Sequence, residues 1–220
     1  MAVSDFSSQW PIPERRVLTG RWCRLEPLDP ERHRDALFEA ISGEHADAQH
    51  RFLADPIPTS RADFQAWLIP RATSEDPMYF AVIDLASGRT EGRQSLMDIF
   101  PGYGTAEIGH ILWGPRIARS RVSTEAFFLL TDYVMTDLRY RRWQWRCNAL
   151  NEPSRRAADR FGFTFEGIFR NHMVVKGKNR DTAWYSITDE EWPKIRARFI
   201  AWLDPSNFRA DGFQVKSLRQ

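Results

Sequence analysis

The chain has 220 residues, enough for one generous domain, and its 42% hydrophobic and 27% charged content is that of a folded globular protein and excludes an intrinsically disordered one. A formal net charge of +2 does not mark the chain as an obvious polyanion binder, although Arg139, Arg141, Arg142 and Arg146 cluster locally. Two distant cysteines, Cys23 and Cys147, support neither a disulfide framework nor a zinc site, and no apolar run reaches the ~20 residues a membrane span needs.

Residues 1–16 read as an irregular lead in which Pro11 and Pro13 block regular structure. The lead carries no apolar signal core, so a cytoplasmic location is expected. Arg21–Leu28 alternates as a first strand, and Asp29 followed by Pro30 predicts a capped helix bearing Leu37, Phe38 and Ile41. Ser60 and Asp63 match a capping box ahead of Phe64, Trp67 and Leu68. A meander follows, with strands at Met78–Asp84, Gln94–Phe100 and Ala106–Trp113 separated by Gly-containing turns.

From Thr124 the period changes. Phe127, Leu130, Val134 and Leu138 predict a helix burying one face. Strands at Arg142–Cys147, Phe165–Phe169 and Ala183–Ile187 alternate with helices at Pro153–Phe161 and Asp189–Leu203. This order predicts a mixed α/β sheet with a parallel pair at its middle. The organisation reads as a lead (1–16), one domain (17–203) and a C-terminal tail (204–220).

The strand Glu107–Trp113 runs through Gly114–Pro115 into the polar loop Arg119–Ser123 and then a helix. A helix start leaves backbone N–H groups unpaired beneath a partial positive charge, and a loop feeding it can present them to a phosphate. Arg119 and Arg121 would add two strong phosphate partners. Further on come Asn148-x-x-Asn151-x-x-Ser154 and then Phe161–Gly162–Phe163-x-x-Glu166–Gly167.

Together with Thr124–Glu125–Ala126, the Leu-Glu-Pro-Leu of Leu25–Leu28 and Asp181–Ser186, this arrangement resembles the ribosomal-protein N-acetyltransferase branch of the GNAT superfamily, from about Gly20 to Leu203. The resemblance implies the GNAT fold, with an antiparallel meander followed by a splayed parallel strand pair. Acetyl-CoA is the implied co-substrate and a primary amine, on a protein N-terminus or a small molecule, the implied acceptor; a homodimer is the family-level expectation. Pantetheine would pair with the backbone of Ile111, Leu112 and Trp113. The pyrophosphate would sit on the amides of Arg119, Ser120, Arg121, Val122, Ser123 and Thr124, and Asn151 and Ser154 would face the thiol end.

Ala118, Arg121 and Ser123 stand where the superfamily prefers Gln/Arg, glycine and glycine or alanine, and glycine is what lets a phosphate come close to a backbone. Ala158 replaces a common tyrosine, which leaves Ser154 as the candidate proton donor to the leaving thiolate. The branch's base glutamate corresponds to Met173, beside His172. An alkyl amine has a pKa near ~10, so a base must take its proton. Candidates are Glu107, then His172, then His110, which strand alternation places opposite Glu107. Each could instead be purely structural: Glu107 a strand-end cap, the histidines hydrogen-bonded core. Direct attack requires no covalent enzyme intermediate, so Cys147 reads as structural. Asp181 could bind a cationic substrate, but pairing with Arg180 is the favoured reading, and Trp184 or Tyr185 could wall the acceptor pocket.

Two other classes compete. A nucleic-acid binder would use Arg139–Arg142 with Trp143 and Trp145, although those tryptophans alternate as in a half-buried strand. A GNAT-fold module that binds acyl-CoA without turnover is compatible with the glycine-poor loop.

Overall fold

Capping residues and alternation place the elements, and the structure, a computed structural model, describes residues 9–218. Asp29 Oδ1 accepts the Glu31 and Arg32 amides at 2.9 and 3.3 Å, starting α1 (Pro30–Ile41). A short helix α2 (Ala46–His50) precedes α3 (Arg61–Thr73), where Ser60 Oγ accepts from the Asp63 amide. The other helices are α4 (Arg121–Asp132), which runs into a π-turn at Tyr133–Asp137, α5 (Glu152–Phe161) and α6 (Trp192–Leu203).

Eight strands, β1 (Leu18–Thr19), β2 (Cys23–Pro27), β3 (Met78–Asp84), β4 (Thr90–Phe100), β5 (Thr105–Trp113), β6 (Arg142–Asn148), β7 (Thr164–Val175) and β8 (Lys178–Thr188), form one mixed sheet ordered β1-β2-β3-β4-β5-β6-β8-β7. All neighbours are antiparallel except β5 and β6, as the strand–helix order predicts. The β7–β8 hairpin is far longer than expected. Its outer half is exposed along β7, so no burial imposed an apolar alternation that sequence could show.

Two layers of helix cover the sheet. One face packs on α4, α5 and α6 through an aromatic core in which Phe127 stacks on Phe161 at 4.2 Å and meets Trp145, Phe163 and Phe199. The other face is covered by α1 and α3 through Leu37, Ile41, Phe64 and Leu68, which lie on Tyr79, Ala81, Ile83 and Leu112. One buried acid ties the first layer to the sheet edge. The Glu125 carboxylate accepts the amides of Arg21, Trp22 and Cys23 at 2.6–2.8 Å, and a side chain at Gly20 would collide with it.

Residues 9–16 cross the β4–β5 turn without regular structure, with the Trp10 indole donating to the Arg139 carbonyl at 2.7 Å. Beyond α6, Asn207 is buried and exchanges hydrogen bonds with Trp202 and Lys216, and Leu218 reaches the core. Among the described residues, no helix is long and apolar enough to cross a membrane.

Candidate active site

β5 and β6 pair only over Thr105–Glu107 with Arg142–Gln144; beyond that register they part. Six residues of β5, Ile108–Trp113, thus line a split whose far wall is the rest of β6 and β8. The α4 helix begins near the end of the β5 wall, after the turn Gly114–Ser120.

Glu107 sits at the apex. Ala106 and Ile108 belong to the α4-side core, so alternation turns Glu107 to the opposite face, where its side chain is 3% exposed. Arg146 Nε lies 3.1 Å from Glu107 Oε2, yet not at a hydrogen-bonding angle, and Oε2 has no other partner among the described residues. Arg146 also pairs with Asp98 at 2.8 Å. Burial pushes the Glu107 carboxyl up to about 8, and the pull of Arg146 does not offset it.

His110 shares that face with Glu107, against the alternation argument. A bulge explains the correction: Arg93 and Ser95 of β4 stand opposite Leu112 and Gly109, and His110 takes φ +48°. The extra residue turns His110 toward Tyr79, 5.1 Å away between ring centres, with Nδ1 3.0 Å from Ser95 Oγ. Burial, then Arg93, lowers its pKa to about 4, which makes it a poor proton acceptor. The His110 carbonyl accepts from Arg93, a wholly buried guanidinium paired with Asp55 at 2.8 Å. The Arg93–Asp55 pair, with Trp67 and Arg71 also on Asp55, was invisible in sequence because its partners are 38 residues apart and nothing local marks either one.

His172 lies on β7 with Nδ1 3.0 Å from Thr182 Oγ1 and its ring beside Phe169 and Trp184. Trp184 in turn faces the Arg146 guanidinium at 5.3 Å. Of the two candidates for the acceptor wall, Trp184 lies on the Glu107 face and Tyr185 in the opposite core. Asp181 accepts from the Asn171 amide and Asn179 Nδ2, not from Arg180. The Lys176 ammonium at the hairpin tip donates to the His50 carbonyl at 3.1 Å, linking the hairpin to α2.

On the α4 side of the split, Asn151 Oδ1 caps α5 by accepting the Ser154 amide at 3.2 Å. Ser154 Oγ accepts from the Trp145 indole at 3.0 Å, leaving its own proton to donate. Burial raises the pKa of the neighbouring Cys147 thiol, which keeps it protonated and inert as a nucleophile.

The helix starts three residues earlier than its apolar period suggested, so Arg121, Val122 and Ser123 form its first turn. Ser120 is the N-cap: its hydroxyl accepts the Val122 amide at 3.1 Å, and Ser123 Oγ accepts the Ser120 amide at 3.3 Å. The Thr124 amide closes on the Ser120 carbonyl, and its hydroxyl accepts from Arg160. Among the described residues the Arg119 and Arg121 amides have no protein acceptor, and Arg119 has φ +59°. The Arg121 guanidinium stacks 3.9 Å over Trp22. Of the backbone expected to pair with pantetheine, Ile111 and Trp113 pack toward α4 and Leu112 toward α1, and the Trp113 carbonyl accepts from Gln49 Nε2 at 3.3 Å. Trp143 and Trp145 are 0% and 4% exposed, so they offer no stacking surface to a nucleic acid.

A split parallel pair, a capped helix start at its end and a buried carboxyl at its apex together suit a thioester-dependent acyl transfer. The family model for the acetyltransferase (GNAT) domain matches residues 23–164. The chain belongs to the GNAT acetyltransferase family. Among GNAT relatives it is 28% identical over 170 residues to "Putative ribosomal N-acetyltransferase YdaF" of Bacillus subtilis (strain 168), covering 76% of this chain and 90% of that one. The crystal structure of a GCN5-related N-acetyltransferase from Brucella melitensis superposes with TM-score 0.95 at 52% identity, covering 97% of this chain and 96% of the other. A GNAT-family structure from Chromobacterium violaceum ATCC 12472, described as a probable acetyltransferase, gives TM-score 0.81 at 34% identity, covering 88% and 96%.

Proposed function

We propose that this GNAT protein transfers the acetyl group of acetyl-CoA to a primary amine by direct attack in a ternary complex. The observation that carries the reading is Glu107, a buried carboxyl at the apex of the split with an oxygen that no hydrogen bond satisfies among the described residues. As the nitrogen–carbon bond forms and the carbon–sulfur bond breaks, the amine's proton passes to Glu107, and the Ser154 hydroxyl donates a hydrogen bond to the leaving thiolate as it takes a proton, with Ser154 drawing its replacement from solvent. Those backbone N–H groups of Ile111–Trp113 that point away from β4 hold the thioester carbonyl and pantetheine. The Arg119 and Arg121 amides receive the pyrophosphate, with Ser120, Val122, Ser123 and Thr124 completing the turn. Asn151 fixes Ser154 from the α5 cap. His172 orients through Thr182 beside the acceptor.

A base with a pKa of about 8 is half-charged there, so its contribution grows as pH rises toward that value and then levels. The test is thiol release from acetyl-CoA with a panel of amines, comparing wild type with Glu107→Gln. The rate ratio should climb through about pH 8 and reach ~10²–10⁴, the usual span for a general base. A ratio near one at every pH removes Glu107 from the reaction. The internal hydrogen bonding of the Ser120 and Val122 amides favours a second reading, an acyl-CoA-binding module. Protection against heat by acetyl-CoA without turnover on any amine would select it.

A further inference from the structure

Acetyl transfer leaves one charged group of the split without a task. Arg180 stands on β8 two positions beyond the last β6 pair, Asn148 with Thr182, and alternation puts it on the face of Thr182 and Trp184. Its sequence neighbour Asp181 points the other way, onto Asn171 and Asn179. Arg142, Arg146 and Arg155 are each held by a carboxylate, whereas Arg180 Nε is buried and has no partner among the described residues. The ionisable groups around Arg180 include Arg146 and Glu107, which belong to the two walls of the split. Arg180 is half-buried with its Nε shut off from water and no ion pair among the described residues, and an arriving anion would satisfy it through charge-assisted hydrogen bonds.

We infer that Arg180 is the subsite for a carboxylate on the acceptor, so that the acceptor is a free amino acid or an analogue with an anion beside its amine. The inference rests on the acetyl-transfer reading above. Glu107 takes the amine and Arg180 the carboxylate, a pair complementary to a zwitterion. A protein N-terminus presents a neutral amide where the amino acid presents its charge. Room for a side chain lies next door, in a cavity of about 320 Å³ lined by Gln144, Phe169 and Trp184 among others, with Gln144 the register partner of Glu107.

The test uses matched pairs: free amino acids, their carboxamides, and short peptides bearing the same N-terminal residue. Wild type should prefer the free acids in kcat/KM by roughly tenfold or more, the scale of one charge-assisted hydrogen bond. Arg180→Gln should collapse that ratio toward one through KM, and Arg180→Lys should keep part of it. Carboxamides or peptides turned over as well as the acids would overturn the inference, as would an Arg180→Gln variant with an unchanged ratio. A binding arm separates the two readings: calorimetry of the same pairs in the presence of coenzyme A. Carboxylate-dependent, Arg180-dependent binding without turnover sinks acetyl transfer and keeps the subsite. Binding that ignores the carboxylate sinks the subsite whether or not any amine is acetylated.

Discussion

The two faces of the sheet at the split are built on opposite terms. Toward α4 the contacts are aromatic, with Phe127, Trp145, Phe161, Phe163 and Phe199 in mutual contact. Toward α1 the same strands present the buried Glu107 and Arg93, with His110 and Arg146 half-buried beside them. Apolar burial stabilises without direction, whereas a buried charge is costly unless paired. The first face therefore supplies stability, and the second gives some of it up.

That contrast can be broken from either side. Phe127→Ala should be the most damaging change, lowering unfolding free energy by about 3–5 kcal/mol in a denaturant titration, since it opens a cavity where four rings meet. Asp55→Ala should cost about 3 kcal/mol in the same measurement by stranding buried Arg93. Replacing both as Asp55→Leu with Arg93→Met should recover part of that loss. A double variant no better than the single would mean that the His110 carbonyl, also held by Arg93, matters more than the charge.

Glu107→Gln should do the reverse of a core mutation. Its folded pKa of about 8 lies above the unfolded value near 4.5, so the protonated carboxyl favours the fold fully below 4.5 and that advantage is lost as pH rises through about 8. The amide does not titrate, so the variant should gain on wild type by up to about 5 kcal/mol at pH 9 and little at pH 4, read as a difference in Tm. The smallest effect expected is Ser154→Ala, a loss of about tenfold in kcat with KM for acetyl-CoA little changed, consistent with one hydrogen bond to a leaving group. Equal loss in both parameters would mark Ser154 as a packing residue beneath Trp145.

The two faces also differed in how far the sequence announced them. The helix caps at Asp29 and Ser60 and the strand order with its parallel pair were legible because each is a local signal of one side chain or one period, whereas the Asn151 cap emerged only in the structure. The position of Glu107 at the apex of the split also followed from its place on β5. Three features did not follow. The His110 bulge leaves no mark in composition, the Arg93–Asp55 pair depends on long-range proximity, and the β7–β8 extension is polar on exposed faces. Arg180 fell between these cases: an acidic neighbour in sequence suggested a partner that strand alternation then turned away.

The bulge at His110 has a further effect on what β5 will tolerate. Every side chain after it is turned over relative to an unbroken strand: Ile111 and Trp113 reach the α4 side and Leu112 the α1 side because of one added residue. Deleting His110 would restore an unbroken strand and leave those destinations as they are, whereas inserting one more residue there would exchange them. The tolerance of this strand for a change in length is therefore one-sided: a residue lost at the bulge removes His110 from the Glu107 face and keeps the core, and a residue gained would drive Trp113 out of it.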